Sequence, residues 1–401
     1  PDNGARFIFF CRAVLEAVRH LDFKPDILHI NDWQTGLIPV YLREEYRRLP
    51  AFAKVRTVLT IHNLAYQGLF WHWDMQLTGL DWRLFNQEQL EFYGQLNFLK
   101  AGIVFADALT TVSPTYAREI QTPYFGCGLQ GVLLKRQKDL TGIVNGVNYL
   151  EWDPASDSYL AAHYGVDAIE PGKPLCKQAL QRLSNLPEAS RVPVIGIVAR
   201  LVEQKGMDLV VSAADAFLRQ GVQLVVLGEG HPAIHEKLQG VRKRYPKQVS
   251  LTLGFNEELA HQIEAGSDMF LMPSLYEPSG LNQLYSLRYG TVPIVRATGG
   301  LADTVTNCTP ETLAAGTATG FSFQAYTANA LAETVDRVLA MYHDQPELWR
   351  QVVQNGMRQD WSWQRSAAQY EAVFKKTLER IDLENQANVA DSINRPMAGQ
   401  E

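Results

Sequence analysis

Short apolar runs rich in Val, Ile and Leu recur along this chain, at 26–30, 55–61, 108–112 and 141–144, then at 193–198, 222–227, 249–253, 268–272 and 292–295. Most carry no polar alternation, which predicts strands buried on both faces, as in a parallel sheet covered by helices. Between them the apolar positions switch to a helical period. Met207, Val210, Val211, Ala214, Phe217 and Leu218 form one stripe along a helix, with Gly221 as its terminal glycine. An amphipathic helix over 7–21 opens the chain. The alternation predicts an α/β fold of doubly wound parallel sheets. The turn-rich stretch 184–190 separates two sets of strands. The pattern therefore divides into a first Rossmann-like domain over 1–150, an interdomain linker region over 151–190 and a second Rossmann-like domain over 191–358. A helix over 359–380 and a disordered tail over 385–401 follow.

Composition narrows the picture. With 401 residues, 46% of them hydrophobic, the chain is no disordered or low-complexity polymer. A net charge of −6 argues against general binding to nucleic acid or an anionic membrane, so an anionic ligand has to be held by a few placed cations. No apolar run approaches the roughly 18 residues of a membrane span, and the first residues do not read as an export signal. Cys11, Cys127, Cys176 and Cys308 are scattered, with no C-x-x-C pair. That spacing fits neither a zinc finger nor a disulfide scaffold and points to a reduced, cytoplasm-like setting.

Polar clusters follow the expected strands, where open α/β sheets bind ligands. Asn31-Asp32-Trp33 follows the first, His62-Asn63 the second and Asn145-Gly146 the fourth. Singly, Asp32 and Asn145 read equally well as helix caps and His62 as a structural histidine. In the second half, Arg200 and Lys205 flank a loop that opens a helix. Backbone N–H groups and the helix dipole favour anions there, and a fork plus a point charge suit a diphosphate. The alternative is a solvated pair bound to Glu203. After 268–272 comes Glu277-Pro-Ser-Gly280-Leu281-Asn282, a carboxylate able to accept sugar hydroxyls beside a glycine-opened helix able to receive phosphate. Thr298-Gly299-Gly300-Leu301 repeats the theme. Together these suit a nucleotide sugar.

The motifs Pro25-Asp-Ile-Leu-His-Ile-Asn-Asp-Trp33, Thr60-Ile-His-Asn63, Gly94-Gln-Leu-Asn-Phe-Leu-Lys-Ala-Gly102 and Thr111-Val-Ser-Pro-Thr-Tyr-Ala-Arg-Glu-Ile120 resemble those of bacterial glycogen synthase and plant starch synthase, glycosyltransferase family five. So do Gly142-Ile-Val-Asn-Gly146, Gln204-Lys-Gly206 and the run from Glu277 to Thr304. The resemblance covers nearly the whole chain. It implies a two-domain GT-B fold with the active site in the cleft between domains, a nucleotide-sugar-binding second domain, and a terminal helix after Trp361 that crosses back onto the first. It implies glucose transfer from ADP-glucose to the non-reducing 4-hydroxyl of an α-1,4-glucan, with retention of configuration. By the same resemblance Arg200 and Lys205 neutralise the leaving diphosphate and Glu277 holds glucose hydroxyls. Gly280, Leu281, Asn282, Gly299 and Gly300 contact the donor, and His62, Asp32 and Asn145 line the donor-glucose and acceptor side. No metal or other cofactor is expected, nor a nucleic-acid or membrane partner. The location implied is cytoplasmic in a bacterium, or the plastid stroma in a plant.

The stretch 66–98 is dense in aromatics, mostly read as packing, with Trp71 and Trp73 the candidates for glucan contact. Two departures from the family pattern stand out. Ser279 replaces the cysteine of Glu-Pro-Cys-Gly-Leu. The family's Lys-x-Gly-Gly-Leu loop has no counterpart, so roughly a quarter of the expected enzyme is expected ahead of Pro1, either cut off or lost in a degenerate paralogue, exposing a sheet edge. The competing readings are a catalytically impaired glucan-binding or regulatory paralogue and another GT-B glucosyltransferase, phosphorylase-like or sucrose-synthase-like.

Overall fold

The computed structural model describes residues 2–21 and 23–393, with side chains as far as Glu379. Its strands in chain order are β1 (Ile27–Asn31), β2 (Arg56–Ile61), β3 (Leu69–Trp71), β4 (Glu91–Phe92), β5 (Gln95–Asn97), β6 (Ala108–Thr111), β7 (Leu140–Gly142), β8 (Val194–Val198), β9 (Gln223–Gly228), β10 (Val249–Leu253), β11 (Met269–Met272), β12 (Val292–Arg296) and β13 (Phe321–Phe323). The chain divides into two units, one of residues up to Ile143 plus those from Ser366 onward, the other Val144–Arg365.

In the first unit β1-β2-β6-β7 form a parallel sheet. Five of the six β2 residues are buried, as an uninterrupted apolar run between two helical layers requires. Leu59, Ile61, Leu109, Ile103, Tyr41 and Phe98 meet in one core. The opening helix, Asn3–His20, buries Gly4, Ile8, Cys11 and Leu15, spaced to share a face, and leaves Phe9 and Phe10 exposed. A small antiparallel sheet, β3-β5-β4, was not among the expected elements, because its strands are only two or three residues long. The C-terminal helix brings Tyr370 and Phe374 against His29 of β1, ring centroids 5.3 and 5.4 Å away.

In the second unit six parallel strands stand in the order β10-β9-β8-β11-β12-β13. The order reverses at β8 and β11, a switch point where the loops beyond the strand ends diverge and open a crevice. Every residue of β9 is buried. The helix Met207–Leu218 packs its stripe into the core through Met207, Val210, Ala214, Phe217 and Leu218.

Two expected boundaries need correction. Residues 151–190 are no linker: they hold the helix Gly172–Leu183, whose Cys176 and Leu180 are buried in the second unit's cores. The turn signals at 184–190 mark the helix-to-strand connection instead, and the unit begins at Val144. The terminal helix, expected to end near 380, runs Trp363–Ile393, so the first part of the expected disordered tail is helical. The rest of that tail, from 394, lies outside the described residues.

Candidate active site

Beyond the carboxyl ends of β8 and β11 lies a cavity of about 360 Å³, lined by Ala199, Arg200, Lys205, Ser274, Glu277, Gly280, Leu281 and Asn282 among others. Arg200 and Lys205 therefore face one space. Gly206 makes the loop possible: its φ is +71°, and a Cβ there would lie 2.1 Å from the Pro273 carbonyl oxygen. The Leu275 N–H donates to the Gln204 carbonyl (2.9 Å), tying the two loops together.

Lys205 Nζ donates to Glu277 Oε2 at 2.6 Å, and the Ser274 hydroxyl donates to the same oxygen at 3.1 Å. Glu277 is only 5% exposed, so its charge needs such partners. Arg200 Nη2 donates to Gln204 Oε1 (3.2 Å) and is otherwise exposed. Neither cation pairs with Glu203, the bland alternative. Asn282 donates through Nδ2 to the Val198 carbonyl (2.7 Å), fixing the start of the helix Asn282–Arg288 against the end of β8.

Gly299 and Gly300 do not line the cavity. Gly299 has φ +45°, and a Cβ on it would meet the Glu277 carbonyl oxygen at 1.9 Å. The Gly300 N–H donates to the Glu277 and Pro278 carbonyls, both at 3.1 Å. These glycines pack directly against the backbone of the Glu277 turn. Arg296, at the end of β12, was missed by sequence reasoning: its guanidinium donates to the carbonyls of Leu275 (2.5 Å) and Gln324 (3.0 Å), clamping the loop before Glu277. An arginine closing a buried strand carries no sequence signal that separates it from a surface residue. Ser279, in the family's cysteine position, is buried with its hydroxyl unpartnered.

In the first unit Asp32 and His62 come together. Asp32 has φ 54°, an uncommon backbone for a residue with a Cβ, and its Oδ1 accepts the His62 N–H at 2.7 Å. Burial pushes the Asp32 carboxyl up, offset in part by that hydrogen bond and the neighbouring imidazole. His62 Nε2 lies 2.9 Å from Asn31 Oδ1. Asn145 belongs to the second unit, is half-buried, and makes no hydrogen bond among the described residues. Of the aromatics, Phe98 is fully buried and Phe70, Phe85 and Phe92 pack on the core. Trp71 and Trp73 are 63% and 47% exposed, edge to face at 6.3 Å, and Trp82 continues the row 5.7 Å from Trp73.

The starch synthase catalytic domain family matches residues 1–135, and the family of glycosyl transferases group 1 matches residues 183–359. A glycogen synthase of Anaeromyxobacter dehalogenans is 52% identical over 374 residues, 93% of this chain and 77% of the relative. Glycogen synthase 1 of Methylococcus capsulatus is 50% identical over 381 residues, 94% of this chain and 76% of its own length. Among solved structures, the catalytic domain of starch synthase IV from Arabidopsis thaliana, bound to ADP and acarbose, superposes with a TM-score of 0.88 at 35% identity, covering 94% of this chain and 78% of that one.

Proposed function

This chain belongs to the glycogen synthase and starch synthase family, retaining glucosyltransferases of the α/β GT-B fold, and on that premise we propose that its donor is ADP-glucose and its acceptor the non-reducing 4-hydroxyl of an α-1,4-glucan. A nucleotide sugar and a glucan are the substrate classes the family implies. The choice of ADP draws support from the nucleotide in the Arabidopsis relative. The observation that carries the reading is the convergence of Arg200, Lys205 and Glu277 on one cavity at the β8/β11 switch point.

The chemistry is leaving-group stabilisation with positioning. The C1–O bond to the nucleotide breaks with its electron pair passing to the diphosphate, and the sugar passes through an oxocarbenium-like state. Arg200 and Lys205 meet the growing charge, with the backbone amides of Leu281 and Asn282 at the distal phosphate and Gly280 leaving room for it. An ammonium has three donors, so Lys205 can hold Glu277 and a phosphate oxygen together. Glu277 accepts the glucose hydroxyls, and Asp32, His62 and Asn145 serve the donor-glucose and acceptor side. The glucan hydroxyl bonds to C1 on the face the nucleotide leaves, its proton passing to the departing diphosphate oxygen on that face, which retains configuration. Trp71 and Trp73 offer exposed faces for glucan stacking. The proposed transfer uses no metal or other cofactor, since cations and amides carry the diphosphate charge.

No helix among the described residues is long and apolar enough to cross a membrane. The four free cysteines support a reducing compartment, the cytoplasm. Incubation with labelled ADP-glucose, UDP-glucose or glucose 1-phosphate plus glycogen tests the assignment. Incorporation from ADP-glucose with equimolar ADP release is expected, and incorporation from glucose 1-phosphate alone would overturn it.

A further inference from the structure

A second group of polar side chains converges in the unit Val144–Arg365, and none of them lines the donor cavity. Its centre is His261, on the helix Glu257–Gly266 and 1% exposed. The imidazole stacks face to face on Trp152, with centroids 3.7 Å apart and planes 14° from parallel. On the other side of Trp152 lies the Tyr285 ring, 3.8 Å away and 4° from parallel. The stack sets the plane of the imidazole. Its Nδ1 lies 2.7 Å from Asp157 Oδ2, which also accepts the Tyr289 hydroxyl at 2.5 Å. With Asp157 accepting the Nδ1–H, the neutral imidazole has the lone pair of Nε2 free.

That Nε2 is buried and has no hydrogen-bond partner. Leaving a buried polar atom unmatched costs about 1–3 kcal/mol, and native interiors seldom do so without a reason. Glu257 lies one helical turn before His261, so the two share a face. Glu151 comes from the loop whose next residue is the stacked Trp152. One ring nitrogen of His261 and one carboxylate oxygen each of Glu151 and Glu257 lie within 4.8 Å of one another. Both carboxylates are exposed and neither forms an ion pair among the described residues; Glu151 Oε2 accepts a long hydrogen bond from Asn148 Nδ2 (3.5 Å), and Glu257 sits in the first turn of its helix. Two carboxylates that no side-chain cation neutralises stand beside an imidazole that a third carboxylate orients from behind, the arrangement metal-binding histidines use.

We propose that Glu151, Glu257 and His261 bind one divalent transition-metal ion, zinc being the ion this donor set suits. Calcium and magnesium take all-oxygen sets, whereas one imidazole with two carboxylates and a water completes a tetrahedral zinc shell. The ion ties the Glu151 loop to the helix Glu257–Gly266 and holds the Trp152 stack closed. Its role is structural and separate from glucosyl transfer, which the proposed mechanism runs without metal.

The test uses the full chain, stripped with a chelator, dialysed and titrated with zinc chloride alone against a competing chromophoric chelator, with thermal unfolding followed in parallel. The wild type should take up one equivalent and unfold at a higher temperature when loaded. The variant carrying Glu151→Gln and Glu257→Gln changes exposed side chains only. It should keep the wild-type circular dichroism and metal-free Tm, bind zinc about tenfold or more weakly, and lose the rise in Tm. Absence of uptake by the wild type would overturn the site and leave a water as the partner of Nε2. Equal uptake by the variant would also overturn it, placing the zinc on other groups such as the free cysteines. Transfer activity is not the readout, so failure here leaves the donor assignment untouched.

Discussion

Lys205 and Glu277 are 72 positions apart in sequence and 2.6 Å apart in space. That one contact joins the loop after β8 to the loop after β11. Lys205→Ala removes a cation aimed at the leaving group, and steady-state kinetics should show kcat lower by roughly 100- to 1,000-fold, the usual cost of one such contact. An unchanged rate would take Lys205 out of that role. Arg200, Lys205 and Glu277 were each legible from their places after apolar runs and beside glycines. Their pairing was not, since nothing local in either loop encodes the other. Glu257-x-x-x-His261 did hold a readable signal, two donors one turn apart, but only the buried Nε2 distinguishes it from a solvated helix face. Glu264, one turn further along that helix, makes a separate prediction. Burial holds its carboxyl well above the usual carboxylate range, opposed by the Ser286 hydroxyl and by Lys173. A carboxyl raised in the folded state stabilises fully below its unfolded pKa, and that contribution is lost as pH climbs through the folded value. Urea midpoints measured at pH 5 and pH 9 should therefore fall more for the wild type than for Glu264→Gln, and parallel declines would refute the assignment.

Among the elements, the long parallel strands were readable because continuous Val, Ile and Leu admit few alternatives once no membrane span is present. The β3-β5-β4 sheet and β13 were not, being at most three residues long and defined by their partners. The helix Gly299–Thr304 shows how one element positions another. Its first glycine, at φ +45°, leaves no room for a Cβ against the Glu277 carbonyl. Gly299→Ala should push that turn outward, so thermal unfolding should register a loss of about 1–3 kcal/mol. Titration with ADP should show weaker binding in the same variant, although residue 299 does not line the cavity. Full ADP affinity in the folded variant would remove the link between the two glycines and the Glu277 turn.

For the whole molecule, separate cores imply separable unfolding. Tyr41 is buried in the first unit's core and Phe270 in the second's. Phe270→Ala should cost about 3–5 kcal/mol. In differential scanning calorimetry that loss should shift one component of the transition, while Tyr41→Ala shifts the other. A single transition that moves as a whole for both variants would mean the units melt together. The first unit is also discontinuous, closed by a helix that arrives only after Val144–Arg365 has been made. At about 5–20 residues per second, a ribosome needs on the order of 10–45 s to synthesise that intervening stretch. For that interval the nascent β1 surface around His29 waits without Tyr370 and Phe374. A translating cell therefore carries a half-finished first domain long enough for holdase chaperones to engage it, and slow codons within the second domain would lengthen the wait.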